Sequence, residues 1–218
     1  MPNKPLEAIY FRDFANAHIP EILEEIYLKK IYESYLLGKK DLTIVDIGSN
    51  IGLSVYYFKD FAKQVYAIEP AKEHLETLTK MLEFNKITNV TVCPYAISNK
   101  DGKVKFYHNT NSTAHNISIP QDEKDFEEVE IVTFDTFMRR NKLTHIDVLK
   151  CDPEGEEGKI FASDEFAKWA PKIDVIVGEW HRWGSMEMPL FANLLKDVGY
   201  DFTWIPNMKA QVYTAVRL

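Results

Sequence analysis

The stretch Leu42-Thr43-Ile44-Val45-Asp46-Ile47-Gly48-Ser49-Asn50-Ile51-Gly52 joins a β-branched run to a glycine turn, and a helical pattern follows at once. Residues 42–47 have the composition of a strand buried on both faces. Gly48 lets the chain turn with no Cβ in the way, and Gly52 lets the helix start come close to a strand or a ligand. The helix N-terminus then offers unpaired N–H groups. Further short apolar runs stand at 65–68, 90–95, 145–150 and 173–178. Helical stretches at 53–62, 71–84, 156–169 and 186–197 alternate with them; in the second, Leu75, Leu78 and Leu82 make one apolar stripe. The alternation predicts an α/β fold, a doubly wound and mostly parallel sheet with helices on both faces.

Two segments depart from the alternation. Residues 103–107 and 128–133 switch between polar and apolar, as antiparallel strands with one wet face do. Residues 99–102 turn the chain before the first, and 108–126 reads as a long exposed loop. Residues 200–205 and 210–216 read as a closing hairpin. Residues 1–40 form an N-terminal helical extension or cap on a domain spanning 41–218. Its helix is expected over 20–37, from Pro20 to a stop at Gly38, with Ile22, Leu23, Ile26, Ile31 and Tyr35 on its apolar side. That helix packs on the sheet edge or roofs the cleft. Residues 1–18, with Tyr10, Phe11 and Phe14, cover a ligand or a partner subunit, which would make a homodimer, or simply pack.

With 218 residues, 45% hydrophobic and 27% charged, the chain is large enough for one domain with a covered sheet. The 26 basic and 33 acidic residues give a net charge of −7, which disfavours bulk nucleic-acid binding. No apolar run reaches the roughly 18–20 residues of a membrane helix, and the polar N-terminus is no signal peptide. Cys93 and Cys151 are too few for a disulfide scaffold or a cysteine zinc site, and each reads as a buried reduced thiol. A cytoplasmic protein is the simplest expectation.

The glycine turn is a general nucleotide-cleft device, and a tight turn with no ligand is its plain alternative. Asn50 stands where the dinucleotide pattern needs its second glycine for backbone to touch a pyrophosphate. One strand–helix–strand unit later, Glu69 and Pro70 close the second strand; an acidic residue there can accept both ribose hydroxyls, or else is merely solvated. Asp46 and Glu69 are awkward around a phosphate and favourable around a cation, which points to the sulfonium of S-adenosylmethionine.

Beyond the run at 145–150 come Asp152, Glu154, Glu156 and Glu157. Asp152 and Glu154 share parity and both face the cleft if the chain stays extended; Glu156 and Glu157 fit the first turn of a helix, where its dipole favours them. Glu179 and His181 leave the fifth run between Trp180 and Trp183. His181 can serve as a general base, or join Asp152 and Glu179 around a metal. A divalent metal is therefore weighed but not predicted.

Taken together, residues 45–52, Ala67-Ile68-Glu69-Pro70, Asn89-Val90-Thr91-Val92 with Ala96-Ile97-Ser98 and Asp101-Gly102, and the run from Leu149 to Glu157 resemble the FkbM-family methyltransferases, a branch of the class I S-adenosylmethionine-dependent enzymes. The resemblance spans roughly residues 42–180. It implies a Rossmann-like seven-stranded sheet with an antiparallel last strand. It also implies that Asp46, Gly48, Ser49, Asn50 and Gly52 hold the methionine part of the cofactor, with Glu69 and Pro70 at the ribose. Ala96 and Ile97 would border the adenine, and Asp152 would lie near the methyl-transfer centre. Pro153 stands where the family usually has an aliphatic residue, and Glu156 where it usually has a small one.

The reading expected is methyl transfer from S-adenosylmethionine, leaving S-adenosylhomocysteine (SAH), to a hydroxyl of a sugar, glycan or small metabolite. Asp152, His181 and Glu154 are the catalytic candidates. An NAD-dependent oxidoreductase, a non-catalytic cofactor-binding scaffold and an N-methyltransferase are the alternatives.

Overall fold

The structure, a computed structural model, describes residues 19–108, 117, 125–205 and 211–218. The expectations for residues 1–18 and most of those for 108–126 lie outside them. The elements in chain order are α1 (Ile19–Leu23), a π-helical turn (Glu24–Leu28), α2 (Glu33–Leu36), β1 (Leu42–Ile47), α3 (Leu53–Phe58), β2 (Ala62–Ile68), α4 (Lys72–Phe84), β3 (Val90–Cys93), β4 (Ala96–Ser98), β5 (Gly102–Tyr107) and β6 (Phe126–Thr133). There follow α5 (Phe134–Arg140), β7 (Ile146–Cys151), α6 (Glu157–Phe161), α7 (Asp164–Trp169), a 3-10 turn (Ala170–Lys172), β8 (Ile173–Trp180), α8 (Met188–Asp197), β9 (Tyr200–Ile205) and β10 (Gln211–Arg217).

The apolar runs become the centre of a seven-stranded sheet in the order β3-β2-β1-β7-β8-β10-β9. β3, β2, β1, β7 and β8 pair in parallel. β10 enters antiparallel between β8 and β9. This is the mostly parallel, doubly wound α/β sheet with one antiparallel strand that the sequence predicts.

Strand alternation feeds both faces. Val45, Ile47 and Leu149 point into one core with Phe134, Phe161 and Phe191. Ile44 and Val148 point into the other with Phe58 and Leu78. Ile26, Tyr32 and Leu36 of the N-terminal segment share that second core. A smaller sheet, β4-β6-β5, stands apart, with β5 and β6 antiparallel as their alternation predicts.

The expected helix over 20–37 is instead broken. Lys30 takes a left-handed φ of 55° between the π-helical turn and α2. Ile26 and Tyr32 would lie roughly a third of a turn apart around a regular helix; the break lets both enter the core. The expected helix over 156–169 is likewise two helices, because Ser163 caps α7 by accepting from the Phe166 amide. The helix expected over 53–62 stops at Phe58, and β2 starts at Ala62. Two elements had no counterpart in the sequence reading, β4 and α5. The latter starts at Thr133, whose hydroxyl accepts from the Thr136 amide. Both cysteines are buried free thiols. Among the described residues no helix is long and apolar enough to cross a membrane.

Phe191 knits the first core. Its ring meets Phe161 edge-on at 5.2 Å and Tyr213 at 4.9 Å, and it is fully buried. Phe191→Ala is expected to lower unfolding stability by about 3–5 kcal/mol in a denaturant titration; a loss below about 1 kcal/mol would show that this core does not depend on α8.

Candidate active site

The crevice opens at the carboxyl ends of β1 and β7, where the chain leaves β1 toward β2 and leaves β7 toward β8, on opposite sides. The glycine turn forms one wall. Gly48 (φ 76°), Asn50 (φ 50°) and Gly52 (φ 94°) are all left-handed. A Cβ on Gly48 would lie 2.0 Å from the Asp152 carbonyl oxygen, and one on Gly52 would lie 2.5 Å from Leu78 Cδ1. Backbone packing therefore demands glycine at 48, while at 52 the left-handed φ favours it and the side chains of Leu78 and Met81 fill the space beside it.

The turn's amides are also consumed internally. Gly48 and Ser49 both donate to the Ile68 carbonyl at 3.0 Å, and Gly52 donates to the Ser49 carbonyl at 2.9 Å. The Asn50 amide donates to Glu69 Oε2 at 2.9 Å, and the Ile51 amide to the Asn50 side chain at 2.7 Å. The Ser49 hydroxyl turns back to the Asp46 carbonyl.

Lys150, next to the carboxyl end of the buried strand β7, is the residue the sequence reading passed over. Its ammonium donates to the Gly48 carbonyl at 2.8 Å and lies 3.0 Å from Asp46 Oδ1 and 3.5 Å from Asp152 Oδ2. Burial works against its charge, but Asp46 and Asp152 hold it well above the usual lysine range. Asp46 is fully buried, and its other oxygen accepts from the Ser54 hydroxyl. Its charge is thus spent on Lys150 and does not face the cleft.

Glu69 also has partners. Oε1 accepts from the Ala71 amide at 2.9 Å and lies 3.2 Å from His74 Nδ1. Burial would raise its pKa, but His74 and the two amides hold it below the ordinary value. His74 is raised in turn: burial opposes its charge, and Glu69 overrides burial.

A second group faces Lys150 across the crevice. His181 is 2% exposed, and its Nδ1 lies 2.6 Å from Glu157 Oε1. Its Nε2 lies 3.4 Å from Glu154 Oε2 and 3.7 Å from Asp152 Oδ1. Burial pulls His181 down, but Glu157, Glu154 and Asp152 push it up to about 10. Burial, then the neighbouring carboxylates, pushes both Glu154 and Glu179 up to about 8. Trp183 covers the imidazole at 4.7 Å between ring centroids and is itself exposed. The N-terminal segment reaches this group: burial and the charge of Asp152 raise Glu25, and buried Tyr32 feels Lys150 and Asp152.

Asp152, Glu154 and His181 therefore converge, and Glu69 joins Asn50. The route differs from the shared parity expected, since Glu154 sits at φ 51° in a turn and not in extended chain. Ile97 packs into the core with Ile47 and Ile68, Ala96 is nearly buried beside it, and Pro70 is half-buried. Glu156 and Glu157 stand at the N-cap and in the first turn of α6, as expected, and both are in addition buried, at 1% exposed. Glu156 accepts from Ser98 and Lys159, and Glu157 holds His181. A lysine inside an apolar run was the signal available for Lys150. Nothing local marked His74 or Glu157, whose roles arise only when strands and helices meet.

Residues 46–202 match the family described as the methyltransferase FkbM domain. The methyltransferase sdnD of Sordaria araneosa is 25% identical over 229 residues, covering 88% of this chain and 87% of that protein. Among solved structures, methyltransferase FkbM from Methylobacillus flagellatus KT superposes with a TM-score of 0.57 at 17% identity, over 84% of this chain and 46% of that one. A Streptococcus mutans protein crystallised in complex with SAH superposes with a TM-score of 0.57 at 11% identity, over 87% and 97%. At these identities the structures share the fold.

The Glu69–His74 pair makes stability depend on pH. His74 is raised above its ordinary 6.5, so its contribution is complete below about that pH and is lost as pH rises through the folded value. Glu69 is lowered below 4.5, so its contribution is complete above about that pH and is lost as pH falls through the folded value. Denaturant titrations of wild type and His74→Gln should show the widest stability gap between about pH 4.5 and 6.5, narrowing on both sides. A gap that does not change with pH would contradict the pairing.

Proposed function

Because the chain belongs to the FkbM methyltransferase family, we propose that it transfers the methyl group of S-adenosylmethionine to a hydroxyl of a sugar, glycan or other small metabolite. The observation that carries the choice of donor is the state of the turn. Its five successive amides, from Gly48 to Gly52, all donate within the protein. A pyrophosphate would meet no free N–H groups there, and it would face the carboxylates of Glu69 and Asp152. This weighs against the dinucleotide reading. A phosphate-free, cationic cofactor suits the same surroundings. Glu69 Oε2 accepts one amide and keeps a lone pair for a ribose hydroxyl.

S-adenosylmethionine supplies an electrophilic methyl carbon on a positive sulfur. What the protein adds is placement and proton handling. An alcohol acceptor arrives with a proton that must leave, whereas the lone pair of a neutral amine is ready to attack. Asp152 stands at the crevice to take that proton, with Lys150 fixing one of its oxygens and His181 facing the other. Glu157 fixes the imidazole, and Trp183 offers a flat apolar wall beside it.

Turnover and cofactor affinity separate these roles. Asp152→Asn and His181→Ala are each expected to slow methyl transfer to a hydroxyl acceptor by about 100- to 10,000-fold, while SAH affinity measured by calorimetry changes much less. Wild-type turnover in both variants would remove these residues from the reaction.

A further inference from the structure

We propose that Asp152, Glu154 and His181 form a binding site for one divalent first-row cation, of the Mn2+ or Zn2+ class, at the mouth of the crevice. The inference rests on the methyl-transfer reading above and deepens it by naming what acts on the acceptor oxygen.

The geometry points to a cation in three ways. The three ligand atoms, Asp152 Oδ1, Glu154 Oε2 and His181 Nε2, all lie within 4.8 Å of one another. The two distances from Nε2, 3.4 and 3.7 Å, approach the roughly 3–3.5 Å between neighbouring ligand atoms around a metal with bonds of about 2.0–2.2 Å. The two carboxylate oxygens also lack a hydrogen-bond donor among the described residues: each meets His181 Nε2 only as an ion-pair contact, and a cation would take the place of the proton on Nε2. Among the described residues, Asp152 Oδ1 and Glu154 Oε2 are buried with no hydrogen-bond partner. Leaving a buried carboxylate oxygen without a donor is costly, and here two stand side by side. Finally, the side chain aimed between them is itself 98% buried, since His181 is only 2% exposed. Its Nδ1 is held by Glu157, so that Nε2 faces the two oxygens. A carboxylate orienting a histidine in this way is the usual support behind a metal ligand.

Charge agrees with geometry. Lys150 lies between Asp46, at 3.0 Å, and Asp152, at 3.5 Å, while Glu154 and Glu157 have His181 as their cationic partner among the described residues. One imidazole nitrogen with two carboxylate oxygens suits Mn2+ or Zn2+. A second convergent group, His145, Asp147 and Asp174, lies in the half-exposed rim of the sheet. Its carboxylates are in use: Asp147 accepts from the Thr43 amide, and Asp174 accepts from Arg217. A cation in the first site would lower the pKa of a coordinated acceptor hydroxyl, and with Asp152 Oδ1 on the cation, Asp152 Oδ2 would remain to take the hydroxyl proton.

The test is a titration of the full chain with Mn2+, following free Mn2+ by electron paramagnetic resonance. A thermal midpoint with and without the ion accompanies it, as does a calorimetric titration with SAH. One saturable Mn2+ per chain and a raised midpoint are expected. Asp152→Asn and Glu154→Gln should abolish that binding. Glu157→Gln should weaken it about 10- to 100-fold, and His145→Gln should leave it unchanged. Circular dichroism identifies any variant that has lost its fold, and the wild-type titration decides without them. Absence of saturable Mn2+ binding to the folded wild type overturns the proposal, as does binding that survives in folded Asp152→Asn and Glu154→Gln but is lost in His145→Gln. SAH binding without Mn2+ binding sinks the cation alone; Mn2+ binding without SAH binding sinks the methyl-transfer reading and leaves the cation site standing.

Discussion

One buried ammonium ties the crevice together. Lys150 leaves the central strand β7, reaches the Gly48 carbonyl at 2.8 Å, and lies between the carboxylates of Asp46 and Asp152. Those contacts join the end of β1, the glycine turn and the exit of β7, the three pieces that must keep register for any ligand to sit between them. Breaking such a buried pair from one side costs about 3–5 kcal/mol, because the partner's charge is left stranded. The Gly48 backbone lies so close to Asp152 that no side chain fits between them. Position and charge are therefore set by the same contact.

From that clamp the charges divide into two sets. Asp46 pairs with Lys150 at 3.0 Å, and Glu69 lies 3.2 Å from His74. Asp152, Glu154, Glu157 and Glu179 gather on the other side, where His181 faces the first three and Lys150 reaches Asp152. A methyl donor with a positive sulfur, a proton in transit and a divalent ion all meet the same attractive field. A pyrophosphate meets the opposite, since the amides that would bind it already have acceptors.

Much of the fold was legible because its signals are local. Ile44, Val45 and Ile47 announce a strand buried on both faces. Gly48 and Gly52 announce a turn, and Val175 to Gly178 announce another inner strand. Glu69, Asp152, Glu154 and His181 could be singled out since each follows directly on an apolar run. What stayed hidden depends on distant partners. The break at Lys30 follows from fitting Ile26 and Tyr32 into one core, and the burial of Glu156 follows from Ser98 arriving on a separate sheet. Asp46 was expected to lend its charge to the cleft, yet Lys150 claims it. Gly52 suggested close approach of a ligand, yet the neighbours it admits are Leu78 and Met81.

The claim on which all of this turns is that the crevice takes a phosphate-free adenosyl compound in preference to a pyrophosphate. Calorimetric titration of the wild-type chain with SAH and with NAD+, under one set of conditions, measures that preference directly. The account predicts a saturable single site for SAH and no measurable heat from NAD+. Tight binding of NAD+ with none of SAH would contradict it.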